Sequence, residues 1–368
     1  MKVGTAGTTV PPVESLIRNA RRAEEKGYHS MWWPDHLMGW HPEQAWTPDV
    51  AEVARFMPSP HAFLDPVAAI AAAAVRTERM ALGTAVTEPV RRHPAMLAQE
   101  FLTLDHLSRG RVILGIGAGE RANIEPYGLD DSRPLARLAE ALSIIHLLWE
   151  HDEPVSFDGE FWRLREAVCG LRPYREGAYP PIWVGAHGPR MLRLVGGHAD
   201  GWLPTYLGLE RWEADWKEIR AAAGRAGRDP SAITPAVWAM LVVDEDEAEV
   251  ERLLETPLVR GWMLLLPSSA YEELGHRHPL GEGFYGLRDY VPTRLSRSDA
   301  LTAFQAVPPE VCRAYTLNGT PDRVIEQVQR FGEAGLEHLV LWNITYMADL
   351  AKLRSSFHLQ DELLRGLA

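Results

Sequence analysis

An aspartate and a histidine stand side by side in Trp33-Pro34-Asp35-His36, and a glutamate ends a run of alternating glycines, Gly115-Ile116-Gly117-Ala118-Gly119-Glu120. An imidazole beside a carboxylate is a titratable group with a charge to tune it. A glycine-lined floor with a carboxylate at its edge suits a flat heterocycle with an acid or base beside its reactive atom. The plainer readings are a loop histidine bonded to solvent and a bulged strand end. The glycine run is not the dinucleotide fingerprint, because Glu120 stands where that pattern needs its last glycine.

Three further stretches carry candidate chemistry. In Val184-Gly185-Ala186-His187-Gly188-Pro189-Arg190, Gly188 and Pro189 open a helix whose free N–H groups suit a phosphate, with Arg190 and Arg193 adding positive charge. His187 fits there as a ligand or as a packing group. In Gly83-Thr84-Ala85-Val86-Thr87, small residues let a ring approach the backbone, unless this is a plain strand-to-helix turn. Trp40 and Trp46, in a loop also rich in Pro and Met, are candidates for a pocket wall. Metal chemistry is not expected: there is no H-x-H after the first strand, no H-E-x-x-H, and no ligand-spaced partner for Asp35-His36. Without a G-x-S-x-G elbow, a serine esterase is not expected either.

The elements that must position these groups alternate along the chain. Strands are expected at Lys2–Gly7, His29–Trp33, Met80–Val86, Arg111–Ile116, Ile182–Val184, Gly201–Leu203, Ala236–Val243 and His338–Trp342. Between them lie helical patterns, among them Val13–Lys26, Asp65–Val75, Pro94–Leu107, Pro134–Trp149, Leu209–Ala226 and Thr320–Gly332. Strands separated by helices imply parallel pairing through right-handed crossovers, and eight such units favour a TIM barrel, an α/β fold. The expected organisation is one domain over 1–368, with insertions at 37–64 after the second strand and 244–319 between the seventh and eighth. In such a barrel the chemistry sits at the carboxyl ends of the strands, where the candidate motifs fall.

Composition narrows the class. With 38 basic and 50 acidic residues in 368, the net charge of −12 argues against nucleic acid or anionic membrane as a general partner. Two cysteines are too few for a disulfide framework. Neither a signal-peptide core nor an apolar run of membrane-spanning length is visible, so a cytoplasmic protein is expected. The 13 tryptophans are unusually many. Trp149, Trp212 and Trp216 sit on expected helices as packing groups, and Trp183, Trp202 and Trp342 on strands.

The ordered strand-end segments resemble the luciferase-like monooxygenase superfamily, and within it the branch that uses the deazaflavin coenzyme F420. They are Trp33–His36, Leu82–Thr87, His93–Gln99, Ser108–Glu120, Val184–Pro189 and Ala199–Trp202. Asn123–Gly128, Ala186–Leu192, His278–Gly281 and Asn318–Asp322 look similar to the phthiodiolone dimycocerosate ketoreductases. The resemblance implies a TIM barrel, a homodimer and a cofactor across the carboxyl face. It implies that His36 and Glu120 flank the deazaflavin and handle the proton that accompanies hydride transfer. It places Asp35, Thr87, Asn123, His187 and Gly188 near the cofactor, with Ala85 and Val86, joined by a non-proline cis bond, behind the ring. Gly117, Ala186, Pro189 and Arg190 complete the expected cofactor set. Related sugar-phosphate dehydrogenases hold phosphate with lysines after the sixth strand and in the long insertion; here Pro204–Glu210 and 244–319 contain none. A neutral or apolar substrate is therefore expected, with Trp40, Trp46 and Tyr206 against it and Trp262–Leu266 either lining it or buried. FMN in place of F420, giving an oxygen-activating monooxygenase, and a non-catalytic flavin-binding barrel are the competing expectations.

Overall fold

The computed structural model describes residues 1–367. Eleven strands form: β1 (Lys2–Ala6), β2 (Ser30–Trp33), β3 (Ala81–Thr84), β4 (Val112–Ile116), β5 (Val155–Asp158), β6 (Arg163–Ala167), β7 (Ile182–Val184), β8 (Gly201–Trp202), β9 (Thr234–Val243), β10 (Leu317–Gly319) and β11 (His338–Asn343). Eight of them pair in parallel in the cycle β1-β2-β3-β4-β7-β8-β9-β11 and back to β1, with helices outside. This is a closed TIM barrel, as expected. β5 and β6 form a separate antiparallel hairpin that the sequence pattern does not reveal, and β10 adds to the carboxyl end of β9. Among the described residues no helix is long and apolar enough to cross a membrane.

Alternate residues of each strand point inward, and tryptophans fill the interior. Trp32, Ile113, Trp183, Leu203, Ala236 and Val340 make the inner core, with the Trp32 and Trp183 rings 5.1 Å apart. Rings this large fit because their neighbours lack side chains: a Cβ on Gly83 would lie 2.4 Å from Trp32, and one on Gly201 2.5 Å from Trp183. The Trp32 indole N–H donates to Ser30 Oγ at 2.7 Å, and that hydroxyl meets His338 Nε2 at 2.7 Å. Burial, reinforced by the charge of Lys2, pushes His338 down to about 3. It is therefore neutral, and it shares one hydrogen bond with the hydroxyl. Outward residues pack on the helices, as where Trp202 stacks on Trp212 and Trp216.

The two insertions share a second core. Ala45, Trp46 and Val53 of residues 37–64 join Leu254, Val259, Trp262, Tyr271, Tyr290 and Phe304 of 244–319 around Val242 and Ile344 at the ends of β9 and β11. Arg297 clips them together through the Gln44 carbonyl, Thr47 Oγ1 and Asp49.

Gly83→Ala is expected to lower the unfolding free energy by about 1–3 kcal/mol, since it overpacks a full interior. Gly197→Ala, in the helix Pro189–His198 with nothing within 4 Å of its added Cβ, is expected to be neutral or stabilising by up to about 1 kcal/mol. Urea denaturation checks both; equal effects would contradict the interior packing described here.

Candidate active site

Two strand ends supply the reactive groups, and one amide ties them together. β2 runs through Pro34 into Asp35 and His36, both buried; β4 runs into Gly117, Gly119, Glu120 and a short 3-10 turn, Arg121–Asn123. The oxygen Oδ1 of Asn123 accepts the backbone N–H groups of Leu37 at 2.8 Å and Met38 at 2.9 Å. Its Nδ2 lies 2.8 Å from His36 Nδ1 and 3.4 Å from Glu120 Oε2. The imidazole and the carboxylate are 3.8 Å apart at closest approach, too far for a direct hydrogen bond. Glu120 keeps about a quarter of its side chain open, and its Oε2 accepts the Trp40 indole N–H at 3.1 Å. Trp40 also meets the His36 ring edge-on, with centroids 4.3 Å apart.

Asp35 stands behind His36 rather than beside its ring nitrogens. Its carboxylate accepts from Arg91 at 3.1 Å, Arg92 at 3.1 Å and Thr87 Oγ1 at 2.6 Å, and Arg91 also donates to the Asp35 carbonyl at 2.7 Å. Burial alone would raise this carboxyl; Arg91 and Arg92, with the Thr87 hydroxyl, outweigh it and hold it below the usual carboxylate range. Arg92 is itself shared with Asp65 and Glu100. The two arginines were visible in the sequence only as basic residues after the third strand.

The floor lies between these groups and the third and fifth barrel strands. The Ala85–Val86 peptide is cis. Val86 sits between Gly117 and Gly185, whose added Cβ atoms would come within 2.8 and 3.3 Å of its methyls, so the shelf closes only because both are glycines. Ala85 and Val86 stay half-buried, open toward the barrel mouth. Thr87 is buried, its backbone bonded to Gly115 and Gly117. On the opposite side, Trp238, Met240 and Trp342 point inward at the carboxyl ends of β9 and β11. They remain partly exposed, whereas the inward residues one or two turns of the pleat below, Ala236, His338 and Val340, are sealed. Trp342 meets Trp40 at 5.4 Å, and Phe63 meets His36 at 5.3 Å. Trp40, Phe63, Trp238, Met240 and Trp342 thus form an apolar wall around the His36–Glu120 pair. Sequence reasoning named only Trp40; the inward alternation of β9 and β11 is the signal that finds the others.

The remaining candidates separate. Ala186 is buried, with its carbonyl accepting the Trp202 indole at 3.0 Å, and His187 is exposed with Nε2 2.9 Å from Thr205 Oγ1. Gly188, at φ 77°, starts the helix Pro189–His198, and Arg190 is exposed on its first turn. Trp46 does not join the wall: it is buried in the insertion core, against His41, with its indole on the Met57 carbonyl at 2.6 Å. Tyr206 packs on Phe331 beside a cleft lined by Arg211, Glu273, Tyr315 and Arg330, and burial pushes its hydroxyl up to about 12. Trp262–Leu264 are buried core, although the Trp262 ring backs Trp342 at 5.2 Å.

The sequence profile of the luciferase-like monooxygenase family matches residues 1–338. A phthiodiolone/phenolphthiodiolone dimycocerosates ketoreductase of Mycobacterium sp. (strain JLS) is 39% identical over 342 residues, 92% of this chain and 90% of that protein. A 5,10-methylenetetrahydromethanopterin reductase of Archaeoglobus fulgidus is 31% identical over 271 residues, 73% of this chain and 78% of its own. Among solved structures, an F420-dependent secondary alcohol dehydrogenase in complex with an F420-acetone adduct superposes over 100% of both chains, with a TM-score of 0.75 at 22% identity. The chain belongs to the luciferase-like monooxygenase family. Within that family it is an enzyme of the oxidoreductase class, and both relatives named above are reductases.

Because the folded-state titration of Asp35 lies below that of the unfolded chain, its charge stabilises the fold above about pH 4, and that contribution is lost as pH falls through the depressed value. Asp35→Asn is expected to cost about 3 kcal/mol at neutral pH, since it leaves two arginines short of a buried partner. The deficit relative to wild type should shrink below about pH 4. Thermal melts of both proteins across pH check this, and a pH-independent deficit would contradict it.

Proposed function

We propose that the protein is an F420-dependent oxidoreductase acting on a neutral or apolar carbonyl or alcohol. The observation that carries this reading is the juxtaposition of His36 and Glu120, tied by Asn123, at the edge of a glycine-lined shelf with an apolar wall opposite. The residues fit a flat deazaflavin: Gly117 and Gly185 leave the shelf without side chains, and half-buried Ala85 and Val86 are the surface against which a ring would lie. The uncapped start of the helix Pro189–His198, with Gly188 and Arg190, suits the cofactor phosphate. When bound, the deazaflavin accepts or gives a hydride at its ring carbon.

The chain's own residues supply the rest. His36 and Glu120 stand where a substrate oxygen needs a hydrogen-bond donor and a proton acceptor. Trp40 holds one oxygen of Glu120 and leaves the other free for substrate. The wall of Trp40, Phe63, Trp238, Met240 and Trp342 offers apolar surface and no cation, which favours a neutral substrate over a phosphorylated one. That one relative is named a phthiodiolone/phenolphthiodiolone dimycocerosates ketoreductase agrees with a carbonyl substrate.

His36→Ala and Glu120→Gln should each lower kcat with F420 about 100-fold or more, the range of a lost acid–base group. The F420 dissociation constant should change by no more than about threefold, since neither residue lies at the helix Pro189–His198 or on the shelf. Steady-state return of F420 absorbance as its reduced form is oxidised by a panel of neutral ketones, with sugar phosphates tested for bleaching of oxidised F420, checks both. Full activity in both variants, or turnover confined to sugar phosphates, would contradict the assignment.

A further inference from the structure

The Asn123 amide has no freedom to turn. Its Oδ1 receives two backbone N–H groups, at 2.8 and 2.9 Å, so Nδ2 must face His36 and Glu120. Turning the amide over would set Nδ2 against both N–H donors and leave two buried backbone groups unpaired. An amide nitrogen only donates, so His36 Nδ1, 2.8 Å away, must accept. Nδ1 also lies 3.1 Å from the Met38 carbonyl, which would favour a proton there, but the nitrogen can take only one role. A proton on Nδ1 would face the Asn123 N–H at the shorter distance, donor against donor. The Glu120 oxygen, at 3.8 Å, is too far to compensate.

We propose that Asn123 fixes His36 as the neutral Nε2–H tautomer, so that His36 serves the substrate oxygen as a hydrogen-bond donor while Glu120 alone exchanges the proton. This division of labour rests on the oxidoreductase reading; the tautomer itself does not. With its proton already on Nε2, the nitrogen that faces the substrate has no lone pair with which to take the substrate proton. Nε2 has no protein partner among the described residues and is left for the substrate. Glu120 Oε2 is held by Trp40 and Asn123, while Oε1 has no protein partner among the described residues. In the alcohol-oxidising direction the substrate O–H bond breaks and its proton forms an O–H bond on Glu120 Oε1, while the carbinol C–H bond breaks, its hydride going to the deazaflavin that the site would hold, and C=O forms; the Nε2–H of His36 stays bonded to the substrate oxygen throughout. Carbonyl reduction is the reverse, with protonated Glu120 as the source. Asn123 is accordingly a positioning residue: its side-chain donors and acceptors are taken up within the protein.

The test is the ring-nitrogen signature of His36 in full-length protein carrying 15N-labelled histidine, read by long-range proton–nitrogen NMR and assigned by the signals lost in His36→Gln. The proposal expects a bare Nδ1 and a protonated Nε2 as the major neutral form. Asn123→Asp keeps one oxygen for the Leu37 and Met38 N–H groups and puts another opposite Nδ1; there the proton should move to Nδ1. A wild-type Nδ1–H bonded to the Met38 carbonyl, or an unchanged tautomer in Asn123→Asp, would overturn the proposal. That outcome would leave the oxidoreductase reading standing. Conversely, a protein with the Nε2–H form but no turnover with F420 would count against that reading and not against the tautomer. Glu120→Gln activity equal to wild type in a protein showing the Nε2–H form would overturn the assignment of the proton to Glu120.

Discussion

The site depends on one side-chain amide. Asn123 lies on the turn after β4, yet its carbonyl oxygen holds the chain after β2 and its nitrogen holds the ring of His36. Without those bonds the two strand ends that bring His36 and Glu120 together would be linked by the Trp40–Glu120 hydrogen bond and by the packing of Met38 with Ala122. The amide can do this because everything under it is rigid. Asp35, clamped by Arg91, Arg92 and Thr87, fixes the backbone that carries His36. Buried charges of this kind are a poor source of net stability but fix geometry firmly once all partners are present.

The barrel sets the depth of the bowl. Filling the interior with Trp32 and Trp183 requires glycine at positions 83 and 201, and the plug ends where these rings end. Above it, the inward positions of β9 and β11 are occupied by Trp238, Met240 and Trp342, which are too close to the rim to be sealed. The insertions then back this wall from outside, Trp262 against Trp342, without entering the bowl themselves except at Trp40 and Phe63. The same tryptophan richness therefore does two jobs, plugging the barrel low and lining it high.

Much of this was legible in the sequence. Eight strands, their order and the placing of Asp35, His36 and Glu120 at strand ends follow from alternating apolar runs and the rule that barrel chemistry sits at carboxyl ends. The β5–β6 hairpin escaped because its two short strands are mostly solvent-facing: Val155 and Phe157 alternate with Ser156 and Asp158 for only four residues, and β6 carries just Leu164 and Ala167. β10 escaped because three residues leave no pattern. Trp46 looked like a partner of Trp40 through nearness along the chain, but the 3-10 turn Glu43–Ala45 between them sends it into the insertion core. Trp342 read only as a strand residue and Trp238 was not singled out; the pairing register, Trp238 with Val340 and Met240 with Trp342, shows that they face the bowl near its rim. Asn123 could be singled out by resemblance, but its role depends on contacts across 85–87 residues of chain that no local spacing encodes.

Deazaflavin binding with proton-coupled hydride exchange, rather than oxygen activation, is the chemistry proposed for this bowl. The most direct measurement is a parallel anaerobic titration of the purified protein with F420 and with FMN, followed by exposure of each reduced complex to air in the presence of a neutral ketone. The expected result is micromolar or tighter binding of F420, weaker binding of FMN, and reoxidation of reduced F420 that depends on the ketone and not on oxygen. Tight FMN binding with substrate-dependent oxygen consumption would contradict it.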